Sequence, residues 1–143
     1  KARATGTRMK KSLTILGIES SCDDTAAAVV RRGEGKAEVL ASVVFGQTEL
    51  HEAYGGVVPE IAGRAHLDLL NPVIAQAISE AGISESRIDA VAATHGPGLI
   101  GALLIGVSAA KALAYTWDVP YIGVNHLEAH LYAGLLEDPT LEL

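Results

Sequence analysis

Aromatic side chains are scarce in this sequence: one Phe, one Trp and four Tyr among 143 residues. Its core must therefore come from Ala, Val, Ile and Leu, a composition that suits helices packed on a mostly parallel sheet. Cysteine is nearly absent as well. The single Cys22 excludes an internal disulfide and fits a reducing compartment, so a cytoplasmic location is expected. Long apolar runs are also missing. The most apolar stretch, Leu99 to Tyr115, contains Gly101, Gly106, Ser108 and Lys111 and is too short and too interrupted for a membrane span. Positive charge is lacking overall: the net charge is −6, which argues against a broadly basic nucleic-acid surface. An RNA substrate would need another lobe or subunit to help grip it.

What remains is ordinary for one soluble globular domain: about half the residues are apolar and a fifth are charged. Residues 1–11 (KARATGTRMKK) stand apart, with five Lys/Arg and no acid. They are expected to form a flexible basic tail outside the fold. Met9 is the sole methionine and reads as a natural start, which would make residues 1–8 a cloning remnant. The alternative is the end of an Arg-rich organellar targeting peptide.

Residues 12–143 are expected to form one lobe. The apolar run Leu13–Glu19 reads as a buried strand, followed by the polar turn Ser20–Asp24. Thr25–Arg31 and Glu38–Phe45 read as two further strands, joined through a hairpin at Gly33–Gly35, where glycine accepts positive φ. An irregular segment from Gln47 to Val58 precedes a helix that begins at Pro59. Ile61, Ala65, Leu69, Ile74 and Ile78 give that helix its period, Pro72 is expected to kink it, and Gly82 ends it. Ile88–Thr94 is a fourth strand, Leu99–Tyr115 a helix, Tyr121–Val124 a fifth strand and His126–Leu136 a last helix. The order β-β-β-α-β-α-β-α predicts a mixed five-stranded sheet with helices on its faces. This α/β arrangement is similar to a ribonuclease-H-like lobe of the actin/sugar-kinase (ASKHA) fold.

The sharpest chemical feature is Asn125-His-Leu-Glu-Ala-His130. Asn125 can cap the last helix and Glu128 can close a capping box. His126 and His130 then lie one turn apart on one face, able to share a metal ion. The helix N-terminus disfavours a cationic His126, and a neutral imidazole is what a metal needs. The blander reading, two half-exposed histidines on an amphipathic helix, is about as common for a bare His-x-x-x-His. Position favours the ligand reading, because ligands of open α/β sheets gather at the carboxyl ends of strands. Leu127 stands where a metalloprotease has its catalytic glutamate, which excludes peptide hydrolysis of that type.

Three other segments carry weaker signals. The turn Glu19-Ser-Ser-Cys-Asp-Asp-Thr25 can hold a phosphate through a cation bridged by Asp23 and Asp24, or be a solvated turn whose aspartates bond their own backbone. Cys22 reads as structural. His95-Gly-Pro-Gly-Leu-Ile-Gly101 lacks the ending of a P-loop. Gly98, Gly101 and Gly106 point instead to close packing of helices, with a subunit interface as one form of it. The segment His51–Glu60 with Tyr54 either lines a ligand channel or is a strand-to-helix turn, and His66 reads as a packing or surface residue.

The segments GIESSCDDTAAAVV, HEAYGGVVPEIAGRAHLDLL, GPGLIGALLIGVSAAKALA and PYIGVNHLEAHLYA together resemble the tRNA threonylcarbamoyladenosine synthase family (TsaD), in its bacterial and organellar branch. They cover almost everything from residue 16 to 133, in family order. The resemblance implies that 12–143 is an N-terminal ASKHA lobe, with the C-terminal lobe absent from this chain. It implies transfer of a threonylcarbamoyl group from threonylcarbamoyl-AMP to N6 of an anticodon-loop adenosine, in tRNAs reading codons that begin with A. His126 and His130 match metal ligands, for iron or zinc, and Asp23 matches an acidic catalytic position near substrate phosphate. The third ligand, an aspartate, and the nucleotide-binding glycines belong to the absent lobe, so the segment alone is expected to be inactive. Implied partners are tRNA, a TsaB-like paralogue subunit that pairs through the first long helix and the Gly/Ala-rich helix, and a TsaE-like ATPase. The competing expectation is a non-catalytic scaffold or a dimerisation module, with a homodimer as one form. A pure scaffold has no need of paired imidazoles. A sugar or acetate kinase shares the fold, but no loop specifies a sugar.

Overall fold

The computed structural model describes residues 12–138 and 140. The basic tail expected at 1–11 lies outside the described residues. Five strands, β1 (Ser12–Glu19), β2 (Asp24–Gly33), β3 (Lys36–Gly46), β4 (Ala90–Gly96) and β5 (Tyr121–Asn125), form one sheet in the order β3-β2-β1-β4-β5. The pairs β1–β2 and β2–β3 are antiparallel, while β1–β4 and β4–β5 are parallel. The expected mixed sheet is therefore present.

Alternation along the strands divides the two faces. On β1, Leu16 and Ile18 are buried, and on β2 Thr25, Ala27 and Val29 are buried, all beneath the helix layer. Gly17 and Glu19, with Ala26 and Ala28, point to the other face. The β2–β3 hairpin closes at Glu34–Gly35, both at positive φ, between the paired Gly33 and Lys36. Two such residues match the right-handed twist of the strands.

Among the described residues four helices complete the fold: α1 (Thr48–Glu52), α2 (Pro59–Glu80), α3 (Ile100–Thr116) and α4 (His126–Glu137). A single 3-10 turn, Glu85–Arg87, leads into β4. The short α1 falls within the segment read as irregular; one and a half turns carry no apolar period to read. Pro59 occupies the first turn of α2, as expected. The helix runs without interruption through Pro72, which is exposed, as is Asp68 one turn earlier. The carbonyl that loses its partner to the proline thus lies on the solvent side.

The buried stripe of α2 is Ala62, His66, Leu70, Val73, Ile74, Ala77 and Ile78. It lies one position on from the stripe expected at Ile61, Ala65 and Leu69, which are only half-buried. The larger apolar side chains suggested one register; the contacts use a small residue and a histidine instead. The helix packs on β2 and β3, α3 packs mainly on β4, and the two helices touch each other. Their core is Leu16, Val29, Val43, Leu70, Val73 and Val91 with surrounding small residues. Each fully buried Val or Leu there stabilises the fold by about 1.5–3 kcal/mol. Across the sheet, α4 makes sparse contacts with β3, β4 and β5. Among the described residues no helix is long and apolar enough to cross a membrane.

Candidate active-site cleft

Two chain crossings build the cleft. At the end of β1 the chain turns through Ser20–Asp23 before entering β2, and at the end of β5 it enters α4 directly. Asn125 caps α4: its Oδ1 accepts from Leu127 N–H at 2.9 Å and Glu128 N–H at 3.2 Å. This is the acceptor half of the expected capping box, and it places His126 in the first turn over the end of β1.

His126 and His130 face one another. Their Nε2 atoms are 3.1 Å apart and the rings meet edge to face, with centroids 4.6 Å apart. Nitrogens that bind one tetrahedral zinc at about 2.0–2.1 Å stand about 3.3 Å apart. The pair therefore fits two ligand positions of such an ion. It is a partial set: among the described residues no group of three or more His, Cys, Asp or Glu could hold a metal.

Behind His126 stands Glu19, which nothing in its local pattern distinguishes from the rest of its turn. Its Oε2 lies 3.2 Å from His126 Nδ1 and accepts from Thr94 Oγ1 at 2.6 Å. Its Oε1 accepts from Ser21 N–H. Burial alone would push this carboxyl up, but the hydrogen bonds from Thr94, Ser21 and His126 outweigh it and hold Glu19 below the ordinary glutamate value. An ionised carboxylate has no hydrogen to give, so His126 Nδ1 donates. Nε2 of His126 then presents a lone pair toward His130. A carboxylate behind a histidine, fixing its tautomer and raising its basicity, is the usual second layer of a metal site. Ser21 Oγ also lies 3.2 Å from Nδ1. No spacing rule connects Glu19 with a histidine 107 residues away; only the assembly of β1, β4 and β5 into one sheet makes them neighbours.

Asp23 and Asp24 line the opposite wall of the same cleft, about 380 Å³ in volume, together with Glu19, Ser21, His126 and His130. The structure thus brings the turn and the histidines together. Burial and the neighbouring Asp23 both push the Cys22 thiol up, which agrees with an unreactive cysteine. A second cavity, about 220 Å³, adjoins the first and shares Glu19 and Ala129 with it. Gly17, Ala26, Ala28 and Ala92 form its apolar floor. It is the exposed side of the small-residue alternation on β1, β2 and β4.

Gly98, just before α3, and Gly106 within it pack against the turn after β1. A Cβ on Gly98 would lie 2.5 Å from the Ser21 carbonyl oxygen, and one on Gly106 would press on Ser20 Oγ. Leu99 N–H donates to Ser21 O at 2.7 Å, and Ser20 Oγ donates to Ala102 O at 2.8 Å. These two glycines seat the turn of the cleft. Gly101, by contrast, has open space around it. The segment His51–Glu60 resolves similarly. His51 is buried in α1, while Tyr54 is exposed and Pro59 and Glu60 line a surface groove. His66 is wholly buried, a packing residue with polar partners.

Fold and cleft together define an ASKHA-type lobe with a histidine–carboxylate site at its strand ends. The family model "tRNA N6-adenosine threonylcarbamoyltransferase" (TsaD) matches residues 38–143. Curated proteins of that name are 59% identical in Symbiobacterium thermophilum, over 90% of this chain and 37% of that protein, and 62% identical in Koribacter versatilis, over 86% and 32%. The chain belongs to the tRNA N6-adenosine threonylcarbamoyltransferase family. It spans about a third of the length of these relatives. Among solved structures, YeaZ from Pseudomonas aeruginosa superposes with a TM-score of 0.63 at 23% identity, over 89% of this chain and 50% of that one, a likeness of fold alone.

Proposed function

We propose that this lobe is part of a cytoplasmic enzyme that transfers the threonylcarbamoyl group of threonylcarbamoyl-AMP to N6 of an anticodon-loop adenosine, in tRNAs whose codons begin with A. The observation that carries the reading is the convergence of the two Nε2 atoms, 3.1 Å apart, beside a carboxylate-lined turn. His126 and His130 hold one iron or zinc ion, with the remaining ligand supplied by the rest of the protein. When bound, that ion supplies Lewis-acid polarisation of substrate oxygens. Glu19 keeps His126 in the tautomer that leaves Nε2 free for the metal. Asp23, which lines the same cleft, would lie near the adenylate phosphate and help to orient it. Attack by N6 on the carbamoyl carbon forms the new C–N bond and expels AMP, while the N6 proton leaves.

Partners follow from the outer surface. Leu67 of α2 and Ile100 and Leu104 of α3 are each more than 60% exposed along one groove, which also holds Gly101. A patch of this kind suits a paralogous subunit of the same fold; a small ATPase and tRNA complete the expected assembly. In the full-length enzyme His126→Ala and His130→Ala should each abolish metal retention and tRNA modification. Either variant retaining its metal and its activity would remove the ligand assignment.

A further inference from the structure

Beneath the cleft lies a polar network inside the core. His66, Thr25, Gln47 and His51 are all buried. Among the described residues no buried side-chain nitrogen or oxygen lacks a partner. The network is a single chain with one direction. Val58 N–H can only donate, and it points at His51 Nδ1 at 3.3 Å. The hydrogen of His51 therefore sits on Nε2, which donates to Gln47 Oε1 at 3.2 Å. That fixes the Gln47 amide, whose Nε2 lies 3.5 Å from His66 Nδ1. Thr25 Oγ1 donates to the same Nδ1 at 2.7 Å. His66 must then carry its hydrogen on Nε2, which lies 3.0 Å from the Cys22 carbonyl, a group that can only accept. Both ends are set by backbone groups, and the two independent assignments agree.

The chain ends at the turn that walls the cleft. The Cys22 carbonyl is held by His66 Nε2–H, and the next carbonyl, Asp23, accepts from Gln47 N–H at 3.0 Å. Two consecutive peptide groups are thus tied to α2 and to the start of α1, on the side away from the cleft. On the other side of the same turn, α3 holds Ser20 and Ser21. We infer that His66 is a positioning residue: its Nε2–H fixes the Cys22 peptide and so aims Asp23 and Asp24 into the cleft opposite His126 and His130. The kinetic half of this inference rests on the transferase reading above; the structural half does not.

The test uses the full-length protein with His66→Leu and His66→Gln. Glutamine keeps an N–H donor near the place of Nε2. Two readouts are followed: backbone hydrogen exchange in peptides covering Ser20–Asp24 and α4, and KM and kcat with threonylcarbamoyl-AMP. In His66→Leu, exchange in the turn should rise about tenfold, as for one lost hydrogen bond, and KM should rise by a similar factor. Metal content, kcat and exchange in α4 should stay near wild type, because His126 is held by Glu19 instead. His66→Gln should restore both quantities most of the way. Thr25→Val, which removes the hydroxyl that fixes Nδ1, should move turn exchange in the same direction by less, and it carries the test if His66→Leu does not fold. Wild-type turn exchange in the Leu and Val variants, a glutamine variant as impaired as leucine, or a loss of thermal stability alone would each overturn the positioning role. A wild-type enzyme that transfers nothing would overturn the transferase reading instead, and the exchange comparison would then decide the role of His66.

Discussion

Glu19→Gln gives the most exacting test of the cleft. The wild-type carboxylate uses both oxygens: Oε1 accepts from Ser21 N–H, and Oε2 accepts from Thr94 Oγ1 and His126 Nδ1. An amide has one accepting oxygen and a donating NH₂. If the amide oxygen stays on Ser21, the NH₂ confronts His126 Nδ1 and removes the reason for its tautomer. If it turns toward His126 and Thr94, the NH₂ meets Ser21 N–H and the turn loosens. Either way at least one bond to a charged acceptor is lost, worth about 1.5–3 kcal/mol. Glu19 is about 30% exposed, so water replaces part of that, and the lower half of the range applies. We expect metal-free full-length Glu19→Gln to lose about 1.5–2 kcal/mol in denaturant unfolding. Metal affinity, read by chelator competition, should fall by about 10–100-fold, as for other carboxylates behind a ligating histidine. Unchanged metal affinity would refute the reasoning even if stability fell, because the Nδ1–carboxylate contact would then orient nothing.

Two further outcomes follow from the packing around the same turn. Gly106→Ala should destabilise by about 1–2 kcal/mol despite alanine's better helix propensity, since the new methyl displaces the buried Ser20 hydroxyl from Ala102; in combination with Ser20→Ala the loss should be less than additive, and strict additivity in chemical unfolding would argue that the two side chains do not meet. Cys22 should be alkylated by iodoacetamide at pH 8 more slowly than a free thiol, because burial and Asp23 raise it, and Asp23→Asn should speed the reaction; a rate unaffected by the substitution would mean that the carboxylate is not the cause.

Much of the fold was legible because it is written in local periodicity. The apolar runs of β1 to β3 and the hairpin expected at Gly33–Gly35 needed no distant partner to be read. In α2 the expected Ile74 and Ile78 are buried, but the first half of the stripe was misread because His66, a polar residue within it, looks out of place until Thr25, Gln47 and the Cys22 carbonyl are seen around it. The His126–His130 pair was legible for the opposite reason: residues four apart on a helix face one another by geometry alone. Glu19 was not, because its link to His126 exists only after β1, β4 and β5 have assembled. The glycines misled in a simpler way. Their spacing announced close packing but could not say that Gly98 and Gly106 face Ser21 and Ser20 while Gly101 faces outward.

That last division has a consequence for sequence drift. Three glycines on or beside one helix answer to different constraints. At 98 and 106 even a methyl group collides with the chain's own backbone or hydroxyl, so a saturation library selected only for folding should already be depleted of larger side chains, with alanine at 106 the mildest replacement. At 101 the same library should accept most residues, and any depletion that appears when selection is for growth rather than folding measures what an external surface demands. A single helix thereby separates the cost of building the cleft from the cost of assembling around it, position by position, in one experiment.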